Sequence, residues 1–571
     1  PATSYLEFLR TGERSGGGRG INRKKLKLFM LAELFENEGE FLDGIANGIW
    51  AICDESSWVS PAHLYLQEAG PGLPDVEEPV VDLSVGSTVN LLSWVEYFFG
   101  EKLDSVSPLI RDRLYLEVNQ RVLEPCLKRD DFWWMGKGKN FTGLINNWTP
   151  WIASNWLMAN LIFEKEESRR AEATWKSLGI VDKFINSYPD DGACDEGPGY
   201  WFHAGGKLFD FLEVLHNVSK GEINVYDEPI VREMGRYLYR VHIADDKFVN
   251  FADASSKIHA VYRNYETLFK YGERINDPVL MAFGADFAGE RDAAQVFSSK
   301  GSVFRALRLL LLHEKIASFS GAAPYPADHF FSGREVFISR DKAGATEGFF
   351  VAAKGGHNDE SHNHNDVGNF IVYYDGSPVI IDAGVGRYTA KTFSDQRYEI
   401  WTMQSQYHNC PTINGVMQPF GRNYKAKDVG YSSKENEINF NLGLEKAYPD
   451  TAHVGSWKRT IRHLKGEEIH ITDQFKLTKQ TDTTFVPLIL NKKPEILDNK
   501  DVVLNVTGNN STRLLLTFNA TSFDPVVEKI DIEDSRLKNA WGESLYRLKL
   551  VYTKKLRSGE LNATIKRYHE N

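Results

Sequence analysis

The hydrophobic period of the chain changes once, near residue 320, and that change limits the fold to an α half followed by a β half. From about residue 20 to 315 apolar residues recur at helical spacing, as in "STVNLLSWVEYFFGEKL", "TPWIASNWLMANLIFEKEE" and "GKLFDFLEVLHNV". Many helices in succession, joined by short Gly, Pro and Asp turns, predict stacked helical hairpins, either a solenoid or one closed into a toroid. No residue-level repeat is visible. After "SGAAPYPADHFFSGREVFISRD" come short alternating runs such as "GFFVAAKGG", "NFIVYYDGSPVIIDAG", "EEIHITDQFKL" and "SLYRLKLVYTKK", bounded by Gly, Asn and Lys turns. These predict an antiparallel β-sandwich. The expected domains are therefore residues 1–320 and 321–571, with a long cleft where they meet.

Length agrees, since 571 residues exceed what one ordinary core holds. The most apolar run, "FRALRLLLLHEKI", is too short and too charged to span a membrane. A net charge of −11 argues against a general nucleic-acid binder but leaves room for a local basic cleft. Cys53, Cys126, Cys194 and Cys410 are far apart and form no CxxC pair, so they are expected to be buried thiols. The start, Pro-Ala-Thr-Ser, reads as a cytosolic protein or as a mature form whose signal has been removed.

Two stretches of the helical half carry chemistry. "NNWTPWIASN" sets Asn146 and Asn147 beside Trp148 and Trp151, and "DDGACDEGPGYWFHAGG" delivers Tyr200, Trp201 and His203 at a helix start. Tryptophans beside amides suit a sugar, whose ring presents apolar faces to indoles and hydroxyls to amides. Helix packing and capping explain the same residues without any ligand. In the β half, "GGHNDESHNHNDVGNFIVYYDGSPVIIDAGVGRYT" holds His357, His362, His364, Asp366 and Asp382, and His408 follows in "SQYHNCPTINGV". If extended, His362, His364 and Asp366 share one face. Two histidines and one carboxylate from separate strand ends, such as His364, Asp382 and His408, make a zinc set with a fourth position for water; turn histidines are the alternative. His362-x-His364-x-Asp366 also matches the opening of a metallo-β-lactamase signature, but Val367 stands where the next histidine should be.

Four stretches, "NNWTPWIASN", "DGACDEGPGYW", "ESHNHNDVGNFIVYYDGSPVIIDAGVG" and "YHNCPTINGV", lie in this order over about residues 146 to 415. Together they resemble the heparinase II/III superfamily of polysaccharide lyases, an (α/α) toroid followed by an antiparallel β-sandwich. The resemblance implies β-elimination at a uronic acid of an anionic polysaccharide, leaving a 4,5-unsaturated sugar. It assigns Asn147, and next Asn146, to neutralising the uronate carboxylate, so that the C-5 proton becomes acidic enough to remove. It assigns Tyr200 to protonating the leaving oxygen, and in some relatives also to removing the C-5 proton, and His362 to abstracting that proton from the other face or helping to hold the carboxylate, the choice of base depending on the stereochemistry of the uronate. It assigns His364, Asp382 and His408 to one structural zinc, with no organic cofactor. Trp148, Trp201, His203, Arg387, Arg397 and Gln404 are the expected substrate contacts, with Tyr388 near the same loops.

The expected partner is a glycosaminoglycan such as heparan sulfate, hyaluronan or chondroitin, with alginate or another uronate polymer as the alternative. The periplasm or exterior of a bacterium follows as the expected location, because such polymers lie outside the cytoplasm. Two readings of other classes stand beside the lyase. One is a glycoside hydrolase on the same toroid, using carboxylates among Asp190, Asp191, Asp195 and Glu196. The other is a non-catalytic carbohydrate-binding protein.

Overall fold

The computed structural model describes residues 2–14, 19–138, 141, 143, 145–258, 264–288, 302–321, 323–506, 512–554 and 556–568. Helices run from Thr3–Thr11 to Val303–Ala317, and the long strands from Asp328–Phe331 to Ser558–Arg567. Local signals begin the helices. Asp82 accepts a hydrogen bond from the Val85 amide at 2.8 Å and caps Leu83–Val106, while Pro108 and Pro229 occupy first turns. Helix Trp148–Phe163 is apolar on nearly every face because Leu83–Val106, Glu167–Ser187 and Gly205–Val218 all pack on it. Helix Val303–Ala317 returns to Leu83–Val106, where Phe304 stacks on Trp94 with centroids 5.8 Å apart. The hairpins therefore close into a toroid.

The β half holds two eight-stranded antiparallel sheets. The first centres on Val454–Leu464, Glu468–Leu477 and Ser558–Arg567, and the second on Phe485–Leu490, Ser377–Ile380, Phe370–Tyr374 and Phe349–Lys354. Strands of the first sheet alternate as expected: Trp457 and Ile461 turn into the sandwich, with Ile469 and Ile471 opposite. Phe349–Lys354 and Phe370–Tyr374 instead are buried on both faces. Val351, Ala353, Phe370 and Val372 face the sandwich core, whereas Phe350, Ala352, Ile371 and Tyr373 join the core of the helical half. A strand between two cores has no solvent face to mark with polar residues, so its run is continuous rather than alternating. This second sheet is thus the wall on which the two halves meet.

All four cysteines are free and buried. No described helix is long and apolar enough to cross a membrane.

One buried ion pair pins the sandwich together. Arg459, fully buried, donates to both Asp473 oxygens at 2.7 and 2.6 Å, and to the carbonyls of Gly368 at 2.9 Å and Asn409 at 2.6 Å. Those two carbonyls belong to the loops that carry the histidine motifs. Arg459→Met would leave Asp473 as an uncompensated buried charge, and should destabilise the fold by about 3–5 kcal/mol in chemical denaturation.

Candidate active site at the junction of the two halves

The site is assembled around a segment of the helical half, Asn250–Ser256, that lies against the loops of the second sheet. Asn250 donates to the Asp382 carbonyl at 3.0 Å, and Asp253, two residues before Ser255, is fully buried. The Asp253 carboxylate collects three donors from the β half: His362 Nδ1 at 2.7 Å on one oxygen, and His364 Nε2 at 3.1 Å and Arg397 Nη2 at 2.7 Å on the other. Burial alone would raise its pKa. The hydrogen bonds from His362 and His364, with the charge of Arg397, hold the carboxyl well below the usual range.

His362 sits in a turn with φ at +57°, a left-handed conformation for a non-glycine residue. The segment His362–Asp366 is therefore not extended, and its side chains separate to different partners. The His362 ring lies between two carboxylates, with Nε2 2.5 Å from Glu196 and Nδ1 on Asp253. Burial opposes its charge, but Glu196 and Asp253 push its pKa up to about 10. Glu196 is itself buried and its carboxyl is pushed upward by that burial. Tyr200 stands beside this pair, its ring centroid 5.6 Å from that of His362, and donates to the Tyr388 hydroxyl at 2.8 Å. Burial keeps the Tyr200 phenol protonated to higher pH than usual. Gly197 makes the approach possible: its φ is +80°, and a Cβ there would come 2.7 Å from the Ala254 methyl.

Tyr200, Tyr388, His203 and Asp253 line a cleft of about 640 Å³ with Arg14, Lys257, Arg387 and Arg536. Asn146 and Asn147 line a smaller recess next to it, with Ser361, His357, Arg334 and Arg422. The two spaces adjoin at consecutive residues, His203 in the cleft and Ala204 in the recess. Among the described residues the Asn147 side-chain amide has no protein partner, although the residue is only 5% exposed.

Behind the site, ligand atoms of His364, Asp382 and His408 lie within 4.8 Å of one another, all fully buried. The donor set fits a cation. Among the described residues His364 Nδ1 and His408 Nε2 have no hydrogen-bond partner, and His408 Nδ1 lies 3.2 Å from Asp382. Asp253 takes the other His364 nitrogen and so fixes the tautomer that offers Nδ1. Asp382 is oriented by Asn369 Nδ2 and by the Gly384 amide, each at 2.7 Å. Asn409, beside His408, donates to the Phe370 and Ile381 carbonyls at 2.6 and 3.0 Å. His408 itself follows a short helical turn, Ser405–Tyr407, rather than leading directly into a strand.

Residues 337–539 match the family described as "Heparinase II/III-like, C-terminal". The chain carries a heparinase II/III-like C-terminal domain. Over its whole length the fold is that of solved lyases. It superposes on heparinase III with TM-score 0.67 at 13% identity, covering 96% of this chain and 77% of that one. A mutant heparan sulfate lyase from Pedobacter heparinus gives 0.64 at 15% identity, with 96% and 76% covered. The chondroitin AC lyase of Streptomyces coelicolor in complex with chondroitin sulphate gives 0.54 at 11%, with 100% and 79% covered. No curated protein matches the sequence.

The remaining expected contacts divide. His203 lines the cleft, stacked on Trp151 at 4.2 Å between centroids, and burial pushes its imidazole down to about 3. Arg387 is exposed at the cleft. Trp201 is not a cleft residue: it is fully buried, donates to the Met234 carbonyl at 2.7 Å and packs on Tyr271. Trp148 packs against Trp133 and His63, with centroids 5.0 and 4.5 Å away. Arg397 is turned inward, bonded to Asp253 and to the carbonyls of Asn363 and Thr392, so it braces the site instead of lining the cleft. Gln404 donates to the Tyr398 carbonyl and lines neither space. Asp366 pairs with buried Lys354 at 2.7 Å. Asp253, Arg14, Lys257 and Arg536 carry no sequence signal: each sits in a loop or at a helix start, in a polar stretch without a motif.

His408→Ala removes one of three converging donors. Elemental analysis after dialysis against a divalent cation should show binding falling from stoichiometric to background, while far-UV circular dichroism stays unchanged.

Proposed function

We infer that the chain is a polysaccharide lyase acting on a uronate-containing polymer, with a glycosaminoglycan as the substrate class and β-elimination as the reaction. The observation that carries this reading is the Tyr200 phenol, bonded to Tyr388 and packed on His362, opening on a cleft that four cations line. The fold shared with solved heparan sulfate and chondroitin lyases supports it.

Elimination needs three things: the carboxylate at C-5 neutralised, the C-5 proton removed, and the departing O-4 protonated. Asn147, with an unengaged amide at the edge of the site, and Asn146 beside it supply donors to the carboxylate. Tyr200, held protonated by burial, gives its proton to the leaving oxygen as the C4–O4 bond breaks. The C-5 proton goes to His362 Nε2, once Glu196, its carboxyl raised by burial, has accepted the proton that Nε2 carries. Electrons from the C–H bond form the C4=C5 double bond, Glu196 then gives up its proton to solvent, and solvent returns one to the tyrosinate, which restores both groups. The cation site holds the loop of His362 in place from behind; the two-imidazole, one-carboxylate set suits zinc, in a structural role.

The hydrolase reading has less to stand on. Asp191 is committed to the amides of Ala193 and Gly333, and Glu196 faces His362. The test is the ultraviolet absorbance of the conjugated product, which hydrolysis does not produce, screened over heparan sulfate, hyaluronan, chondroitin and alginate. Tyr200→Phe should lower kcat on the accepted polymer about 100-fold or more, and Glu196→Gln should do the same by removing the proton acceptor. Unchanged turnover in both Tyr200→Phe and His362→Ala would sink the assignment.

A further inference from the structure

The cleft has a wall that lies outside both the matched domain and the four sequence motifs. Helix Thr3–Thr11 is anchored on the helical half, where Tyr5 donates to the Ser57 carbonyl at 2.9 Å. The chain then crosses to the β half. The Ala390 amide donates to the Gly12 carbonyl at 2.9 Å, and Glu13 pairs with Thr389 in an antiparallel bridge. Gly12 has φ of +70°, and a Cβ there would come 3.2 Å from that of Ala390. This contact sets Arg14 down with its guanidinium 4.5 Å from the centroid of Phe393. Phe393 in turn packs edge-on against Tyr388 and His362, with centroids 5.1 and 6.2 Å away.

Arg14 is exposed, lines the cleft with Tyr200 and Tyr388, and forms no ion pair among the described residues. Lys257, on the segment of Asp253, lines the same cleft and is likewise unpaired among the described residues. Arg387 and Arg536 add two more cations. Among the described residues that line the cleft the carboxylates are Glu13 and Asp253, the latter already engaged by three donors, while Asp534, beside the cleft residue Ser535, pairs with Arg387 at 3.6 Å. A stacked guanidinium keeps its N–H edge for a planar or tetrahedral oxyanion, and two unpaired cations facing one cavity leave a net positive field for it.

We propose that Arg14, delivered by the strap Thr3–Arg14, and Lys257 hold an anionic group of the polysaccharide, a carboxylate or a sulfate, beside the Tyr200–Tyr388 pair. The proposal rests on the lyase reading for its choice of polymer, but its binding readout does not depend on turnover. The probes are fluorescein-labelled heparan sulfate and the labelled unsulfated polymer of the same backbone, titrated with the full chain at low salt. Arg14→Gln and Lys257→Gln should each weaken binding about tenfold or more, the effect of one charge-assisted hydrogen bond, with thermal unfolding unchanged. Arg14→Lys should recover part of the loss. Gly12→Val keeps the guanidinium but displaces the strap from Ala390, and should match Arg14→Gln. A loss confined to the sulfated probe identifies a sulfate subsite, and equal losses identify a carboxylate subsite. Binding of both probes by Arg14→Gln and Gly12→Val as tight as by the unaltered chain overturns the proposal, as does failure of the unaltered chain to bind either. If the unaltered chain releases unsaturated product and Arg14→Gln leaves KM unchanged, the subsite falls and the lyase stands. Weakened binding by Arg14→Gln with no product from the unaltered chain gives the reverse.

Discussion

The carboxylate of Asp253 is the interaction on which the site depends. It comes from the helical half, and all three of its donors, His362, His364 and Arg397, come from the β half. A buried carboxylate is expensive unless its lone pairs are met, and here each oxygen is satisfied only when the two halves are correctly docked. The same group links two chemistries. One oxygen orients the imidazole that faces Glu196 and Tyr200, and the other fixes the tautomer of a histidine in the cation site. Any shift of one half against the other would therefore disturb the His362–Glu196 pair and the His364, Asp382 and His408 cluster together.

That docking is made possible by the unusual burial of the second sheet. Phe350, Ala352, Ile371 and Tyr373 spend the outer face of the sheet on the helical half, so the loops leaving these strands emerge where the toroid opens. A solvent-facing sheet would leave His362 far from Tyr200. The proposed polymer site is accordingly not a property of either half: the tyrosine and both asparagines belong to one, the histidines and Tyr388 to the other.

What sequence makes legible here is what is local. The change of period locates the passage from helices to strands, and the crowding of His362, His364, Asp382 and His408 around strand ends marks chemistry before any fold is known. Burial and long-range partnership are not local. Trp201 and Trp148 look like sugar platforms because an indole beside a polar loop has the same sequence whether it faces solvent or a core. Arg397 looks like an anion contact because its partner, Asp253, is a lone aspartate far away in "NFADASS". Arg14 sits in a short polar segment that carries no motif, and only the strap's bridge to Thr389 brings it to the cleft. The strands nearest the site, Phe349–Lys354 and Phe370–Tyr374, lack alternation because both faces are buried, and what marks them in the sequence is their short apolar runs between turn residues.

Backbone conformation adds a further constraint on the same center. Ala252 and His362 both adopt positive φ, at +60° and +57°, and they flank the Asp253–His362 hydrogen bond from opposite sides. Neither residue gains from that conformation by itself; a left-handed alanine costs on the order of 1 kcal/mol or more. The cost is met because the alternative, relaxing either turn, would pull the carboxylate and imidazole apart and leave both buried without partners, a larger penalty. Strain and the buried hydrogen bond thus stabilise one arrangement of the two halves.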